Sequence, residues 1–254
     1  MRQADTHLLE KIVNALEFYQ ALGFKRFPID IQAADSGKRA AGRNPGVRRK
    51  APSVNEAPAS PEACDSAGKE ALLHAIREEI GDCKRCKLCQ KRTNIVFGEG
   101  NSNARLMFIG EAPGREEDQQ GRPFVGDAGM VLTRLINKMG FQREDVYIAN
   151  IVKCRPPLNR DPEPDEIGIC RSFIERQIDI ISPEVIMSLG RISTMTLADD
   201  MKLRITAVRG KFMSYKGIPV MPTFHPAYLI RNPKDKWLTW NDAQKIMEKL
   251  GISS

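Results

Sequence analysis

ARLMFIGEAPGREEDQQGRPFVG, residues 104–126, carries the strongest structural signal in this chain. Its apolar start, 105–109, predicts a short β-strand buried on both faces, and the glycines and proline of 110–114 predict a sharp turn after it. The turn leaves backbone N–H groups and the carboxylate of Glu111 at the carboxyl end of that strand. Ligands bind at this end of the strands in open α/β sheets, so the segment predicts a site as well as a strand.

Short apolar segments alternate with longer amphipathic ones after residue 69. The predicted strands are 105–109, 146–152, 185–189 and 218–222. The predicted helices are 69–80, 128–139, 164–181 and 191–198. This alternation predicts an α/β fold with three layers, α/β/α, around a central four-stranded parallel sheet. Polar motifs follow the first, second and fourth strands, where a site is expected.

Composition narrows the class of protein. The net charge of +7 is compatible with a polyanionic partner without requiring one. No stretch approaches the roughly 20 apolar residues that span a bilayer, and the N-terminus does not resemble a secretory signal peptide, so we expect no membrane association. In a reducing cytoplasm, clustered thiols among the six cysteines favour a metal site over disulfides.

The N-terminal quarter differs from the rest. We expect a helical extension at 1–31, a flexible Pro-rich and basic linker at 32–68, and a globular domain at 69–254. Apolar residues at spacings of three and four predict an amphipathic helix at 7–22. Our hypothesis is that this helix docks to a partner protein.

Five cysteines are grouped by spacing. Cys83, Cys86 and Cys89 form C-x2-C-x2-C, and Cys154 and Cys170 follow at a distance. A close pair and a remote pair predict a site with four thiolates. Such sites hold zinc or an iron–sulfur cluster, and the spacing alone does not choose between them.

Four separated motifs carry a family resemblance that extends over about residues 76–245. They are GEAPGREED (110–118), GRPFVG (121–126), NIVKCRPPLNR (150–160) and FHPAYLIRNP (224–233). Together with the cysteines, they resemble the iron–sulfur uracil-DNA glycosylases, the thermophile-type family 4 of the uracil-DNA glycosylase superfamily. The resemblance implies a monofunctional enzyme of base excision repair, which flips uracil out of DNA and hydrolyses its N-glycosidic bond.

The resemblance also implies the catalytic groups. His225 would donate a hydrogen bond to uracil O2 as negative charge develops there. Glu111 would position the attacking water or stabilise the sugar cation. A related family with a GQDPY motif has an aspartate where this chain has Ala112, which performs no acid–base chemistry.

Five residues are implied to bind the base. The Asn150 carboxamide would donate to uracil O4 and accept from N3–H, and thereby reject cytosine. Phe124 would stack on the base, and Glu117 would lie near uracil C5 and help to exclude thymine. Gly110 and Ala112 complete the predicted substrate-binding set.

The resemblance assigns a [4Fe–4S] cluster to Cys83, Cys86, Cys154 and Cys170. Its implied role is structural, and Cys89 is interpreted as a spare thiol. For DNA, the resemblance implies that Leu229 is the wedge that fills the gap left by the flipped base. Arg231 and Arg155 are the predicted phosphate contacts among the DNA-binding residues, and further basic residues, including Arg160 and Arg209, are compatible with that role.

Two other functions stay open on the residues alone. One is a non-catalytic iron–sulfur DNA-binding accessory protein of replication or repair, which the alanine at position 112 favours. The other is a zinc-stabilised α/β hydrolase with a different substrate. For the enzyme, we expect a cytoplasmic, nucleoid-associated monomer whose partner is DNA containing uracil.

Overall fold

A mixed sheet of six strands forms the centre of the fold in the computed structural model, which describes residues 62–252. The strands are β1 (Glu99–Gly100), β2 (Leu106–Gly110), β3 (Tyr147–Asn150), β4 (Val185–Leu189), β5 (Met213–Tyr215) and β6 (Ile218–Thr223). Their order across the sheet is β1-β3-β2-β4-β6-β5. The predicted extension at 1–31 and helix at 7–22, with most of the predicted linker, lie outside the described residues.

The four predicted strands are the central ones, and they are parallel as expected. In the register, Gly110 pairs with Asn150 across β2 and β3, and Ile109 pairs with Ser188 across β2 and β4. The sheet is wider than predicted, because β1 and β5 add antiparallel edges. These edge strands have two and three residues, which is too short to produce a periodic pattern in the sequence.

Helices connect and cover the strands. They are α1 (Glu62–Ile80), α2 (Arg115–Gln120), α3 (Asp127–Lys138), α4 (Pro164–Ile181), α5 (Arg191–Ala198), α6 (Ile205–Val208), α7 (Pro226–Arg231) and α8 (Lys236–Lys249). The first of these begins at Glu62, earlier than the predicted start at Lys69. Nothing in the described part of the chain is a helix of the length and apolar character that crossing a bilayer requires.

The two faces of the sheet are each buried under helices, which confirms the three layers. Along β2, Leu106 and Phe108 pack on the side of α3 and α8, whereas Met107 and Ile109 pack on the side of α1 and α4. All four side chains are fully buried. Burying such a side chain stabilises the folded state by about 1.5–3 kcal/mol. A strand with two apolar faces is therefore stable only in the middle of the sheet, between the two layers of helices.

Candidate active site

A cleft of about 380 Å³ lies where the parallel strands end. Its walls come from the loops after β2 and β3, from the loop before α3, and from the start of α7. The predicted site residues that line it are Glu111, Ala112, Glu117, Phe124, Asn150, His225 and Arg231. These residues are up to about 120 positions apart in the chain, and the shared edge of the sheet brings them together.

Asn150, the last residue of β3, is the most deeply buried polar group of the cleft. Its side chain is 1% exposed, and its Oδ1 atom has no hydrogen-bond partner within residues 66–252. A buried acceptor without a partner costs about 1–3 kcal/mol. The cleft therefore contains an unmet hydrogen-bond acceptor, which a ligand with an N–H group would satisfy.

Gly110, at the end of β2, allows Asn150 and Phe124 to approach one another. A Cβ atom at this position would stand 2.4 Å from Asn150 Oδ1 and 2.5 Å from the Phe124 ring. Any larger residue would displace both groups. The absence of a side chain at Gly110 thus leaves room for Asn150 and Phe124 in the cleft.

Phe124 forms an aromatic wall opposite the carboxamide. Its ring centroid lies 5.7 Å from that of His225. The backbone here adopts φ +50°, which is unusual for phenylalanine. The guanidinium of Arg143 holds this loop by donating to the carbonyl oxygens of Pro123 (2.8 Å) and Phe124 (3.1 Å). Arg143 lies in a separate loop, and no local sequence motif predicts its role.

Glu117 links two walls of the cleft. One carboxylate oxygen accepts from the Gly114 N–H at 3.1 Å, and the other accepts from the N–H groups of Val125 (2.9 Å) and Gly126 (3.1 Å). These three bonds tie the turn after β2 to the Phe124 loop. Glu117 therefore organises the cleft that it was predicted to line.

Glu111 is a partly buried carboxylate in the same cleft. Burial raises its pKa to about 7; the nearby Asp161 carboxylate adds to the rise, and the Arg191 guanidinium opposes it. Asp161 and Arg191 form an ion pair with each other. A carboxyl with a pKa near neutrality is able to accept a proton at working pH, as a general base must.

His225 immediately precedes α7 and caps its N-terminus. Its Nδ1 atom accepts a hydrogen bond from the Ala227 N–H at 3.1 Å. Burial lowers the pKa of His225 to about 4, an effect that Glu117 opposes and Arg231 reinforces. At neutral pH the ring is therefore neutral with its proton on Nε2, and it can donate one hydrogen bond without carrying a charge.

Comparison with known proteins places this geometry in a family. The family model described as the uracil DNA glycosylase superfamily matches residues 97–250. The chain belongs to the uracil DNA glycosylase superfamily. The match runs from just before β1 to the end of α8, and so includes every strand and every loop of the cleft.

Individual relatives in this superfamily carry a more specific name. The chain is 50% identical to a type-4 uracil-DNA glycosylase of Thermotoga maritima over 165 residues, 65% of this chain and 86% of the relative. It is also 50% identical to an enzyme of that name from Sulfurisphaera tokodaii, over 69% of this chain and 84% of the relative. A third enzyme of that name, from Saccharolobus solfataricus, is 50% identical over 70% of this chain and 86% of the relative.

Four thiols of this superfamily member line a second, smaller cavity. They are Cys83, Cys86, Cys154 and Cys170, the four predicted ligands. Cys89 is not among the residues that line this cavity, although it lies in the same loop. All five thiols are free of disulfides.

The four thiols of this cavity are a donor set that suits a metal bound by thiolates, either zinc or an iron–sulfur cluster. Within residues 66–252, no group of three or more His, Cys, Asp or Glu side chains is already arranged to hold a metal ion. Two donors point at sulfur atoms: the Lys153 N–H lies 3.4 Å from Cys170 Sγ, and the Arg92 guanidinium lies 3.7 Å from Cys154 Sγ.

Leu229, the predicted DNA wedge, is buried in this structure. Its side chain is 3% exposed and packs inside the molecule. The next residue, Ile230, is 42% exposed and is the apolar side chain that α7 presents to solvent. Consecutive helical residues point about 100° apart, so the tilt of α7, which no sequence pattern reveals, decides which one faces outward. The wedge role of Leu229 therefore stays a prediction, which its burial in this structure does not support.

The predicted phosphate contacts fall into two groups. Arg231 is exposed at the rim of the cleft, and Arg155 is half-buried with its Nε atom 2.7 Å from Asn159 Oδ1. Arg160 and Arg209 instead pair with the buried carboxylates of Glu166 and Asp242. An arginine held by a buried carboxylate has few donors left for phosphate, so these two residues support the fold.

Proposed function

We propose that this protein is a monofunctional uracil-DNA glycosylase that hydrolyses the N-glycosidic bond of uracil in DNA. The unpartnered Oδ1 atom of Asn150, buried at the bottom of the cleft, is the observation that carries this proposal. It matches the N3–H of uracil, and the other half of the carboxamide matches O4. Cytosine presents a hydrogen-bond acceptor at N3, which would leave the buried oxygen of Asn150 unpaired. The cleft rejects cytosine for that reason.

The cleft holds the base by stacking as well as by hydrogen bonds. Phe124 is buried and locked by Arg143, so its ring is in place before the base arrives. Base–aromatic stacking contributes about 1–3 kcal/mol. Glu117 acts in this proposal by fixing the two loops on either side of the base, and its position near uracil C5 stays a prediction.

Cleavage requires that negative charge be stabilised on the leaving base. The bond between C1′ of the sugar and N1 of uracil breaks, and its electron pair leaves with the base. The Nε2–H of His225 donates to O2, where much of this charge accumulates. Because His225 is neutral, it stabilises the anion through a preorganised hydrogen bond and keeps its own proton.

Water completes the reaction. Glu111 orients a water molecule toward C1′ and accepts its proton as the new C–O bond forms. Its raised pKa suits this step, since a base works best with a pKa near the operating pH. Ala112 lines the cleft beside it and supplies no acid or base, so the carboxylate of this turn is that of Glu111.

The cavity of the four cysteines holds the [4Fe–4S] cluster in this proposal. Bound there, the cluster supplies a structural crosslink. Cys83 and Cys86 follow α1, Cys154 follows β3, and Cys170 lies in α4, so the ligands join three elements. Cys154 is four residues from Asn150, and the crosslink thereby supports the loop that carries the base-recognition residue.

The first expected result concerns Asn150. Substitution by alanine should lower uracil release from a labelled oligonucleotide by about 10²-fold, since two hydrogen bonds to the base are lost. Thermal stability should change little, because the buried Oδ1 has no partner to lose within the described residues. Alkaline cleavage of the abasic product and a melting curve measure the two quantities.

The same assay separates the two principal functions. An oligonucleotide with thymine in place of uracil is the substrate control and should stay intact. A folded protein that binds DNA but releases no uracil would contradict the glycosylase and favour the accessory DNA-binding protein. Release of uracil at an unchanged rate by N150A would remove the role assigned to the carboxamide.

The second expected result concerns the cluster. Substituting Cys170 by alanine should abolish the visible absorbance and the iron content of the purified protein, and lower its melting temperature by several degrees or more. C89A is the matched control, since Cys89 shares the loop but does not line the cavity. Zinc without iron in the wild-type protein would contradict the assignment.

Three further aspects belong to the proposal. We infer that the protein acts as a monomer. We also infer that it is associated with the nucleoid, because its proposed substrate is DNA. Docking of a replication or repair protein to the helix predicted at 7–22 stays a hypothesis about residues outside those described. Equal pull-down of partners by the full chain and by a chain that lacks residues 1–58 would contradict it.

A further inference from the structure

Leu158 is an exposed apolar residue that the function described so far does not use. Its side chain is 96% exposed, more than any other large apolar side chain in residues 66–252. It lies at the tip of the loop after β3. Pro156 and Asn159, on either side of it, line the rim of the cleft.

The backbone of this tip is held in an unusual conformation. Leu158 adopts φ +56° and ψ +21°, and Asn159 adopts φ +54°. This left-handed region favours glycine and is disfavoured for leucine. The Asn159 N–H donates to the Pro156 carbonyl at 3.1 Å, and Arg155 Nε donates to Asn159 Oδ1 at 2.7 Å.

The loop is also anchored at its far end, so the tip is rigid. Arg160 donates to both carboxylate oxygens of Glu166, at 2.9 and 2.7 Å, and Glu166 is fully buried in α4. Pro156 and Pro157 restrict the near end. The loop therefore displays Leu158 in one defined position.

Folding does not account for a leucine here. The side chain buries almost no surface, so it contributes little hydrophobic stabilisation, and its backbone conformation would suit glycine better. Strained backbone conformations persist where the surrounding structure imposes them, and they cluster at functional sites. A contact with a ligand outside the protein is the remaining physical role for this side chain.

The position of Leu158 identifies the ligand as DNA. The loop follows β3 and α7 follows β6, and two strands, β2 and β4, lie between them in the sheet. At about 4.8 Å per strand, the two elements stand about 14 Å apart, on opposite sides of the cleft. Each pairs an exposed apolar side chain with a cation, Leu158 with Arg155 and Ile230 with Arg231. Apolar tips beside phosphate-binding cations suit a duplex that straddles the cleft.

We propose that Leu158 inserts between stacked bases of duplex DNA next to the flipped uracil, as an apolar wedge. This inference rests on the proposed glycosylase function. Insertion unstacks one base step and kinks the duplex, which makes extrusion of the neighbouring uracil less costly. A single strand has no continuous stack to open, so Leu158 should matter only for duplex substrates.

The test compares single-turnover uracil release from duplex and single-stranded oligonucleotides. L158A and L158G should each be slower by roughly tenfold on the duplex and unchanged on the single strand. L158M should restore most of the duplex rate, because methionine also inserts into DNA steps. L72A is the matched control, a leucine that is 56% exposed on α1, outside the cleft.

Fluorescence of a base analogue in the DNA reports unstacking directly, which a purely structural role of Leu158 in the protein would not change. With 2-aminopurine beside the uracil, the wild-type protein should raise emission by unstacking the probe, and L158A should not. Equal rates of wild-type and L158A on the duplex, or equal losses on both substrates, would overturn the proposal. Failure of the glycosylase function itself is distinguishable, because the wild-type protein would then release no uracil from either substrate.

Discussion

Replacing His225 by alanine is expected to slow uracil release by about 10²–10³-fold, the loss that follows removal of one preorganised donor to a developing anion. The effect should fall on the chemical step, because the hydrogen bond to O2 strengthens as charge accumulates there. Single-turnover rates at saturating enzyme measure that step directly. Binding of the substrate DNA should change much less.

His225 also caps α7, so a second variant is needed to separate the two roles. Asparagine accepts the Ala227 N–H as a helix cap but does not extend a donor as far as the Nε2 atom of histidine. H225N should therefore keep the melting temperature and still lose most of the activity. H74A is the control for histidine itself, as His74 is exposed on α1 and pairs with Glu78. Full activity in H225N would show that capping, and not the donor, is what the reaction needs.

The second large effect is expected at Glu111. Substitution by glutamine should lower the rate by roughly 10²–10⁴-fold, because the amide accepts no proton from water. The wild-type kcat/KM should rise with pH up to about pH 7 and level off above it, following ionisation of Glu111. The residual rate of E111Q should lack this rise. Since the pKa of His225 is about 4, ionisation of that histidine should not change kcat/KM between pH 5 and 9.

The same substitution should stabilise the fold at high pH. A carboxyl whose folded-state pKa is raised from 4.5 to about 7 destabilises the folded state above pH 7. We expect E111Q to be more stable than the wild type by about 1–3 kcal/mol at pH 8, and the difference to vanish below about pH 4.5. Urea unfolding at both values measures this. A difference independent of pH would contradict the burial of an ionisable group here.

The strands and helices were predictable wherever one segment carried a complete pattern. The strand at Val185–Leu189 and the helices at Pro164–Ile181 and Arg191–Ala198 lie where their apolar patterns predict them. The edge strands and the C-terminal helix were missed. An edge strand of two residues has no period, and a surface helix such as Lys236–Lys249 has only a weak apolar stripe.

The composition of the cleft was predictable from motifs, whereas its supports were not. Asn150, Phe124 and His225 each lie in a recognisable segment, and the parallel sheet brings their segments to one edge. Arg143 and Asp161 act on the cleft from other segments of the chain. Arg143 donates hydrogen bonds to the loop that carries Phe124, and Asp161 raises the pKa of Glu111. Such contacts join residues without regular spacing, so no local pattern contains them.

The sequence by itself determined the α/β class, the order of the central strands along the chain, the family, and the chemical groups available to the site. These follow from periodicity and from motifs, which are properties of neighbouring residues. The tertiary structure alone decided which groups are buried, charged or exposed: it left Asn150 Oδ1 without a partner in the described residues, neutralised His225, buried Leu229 and displayed Leu158. Burial depends on what distant segments place around an atom, and hydrogen bonding and pKa depend on burial.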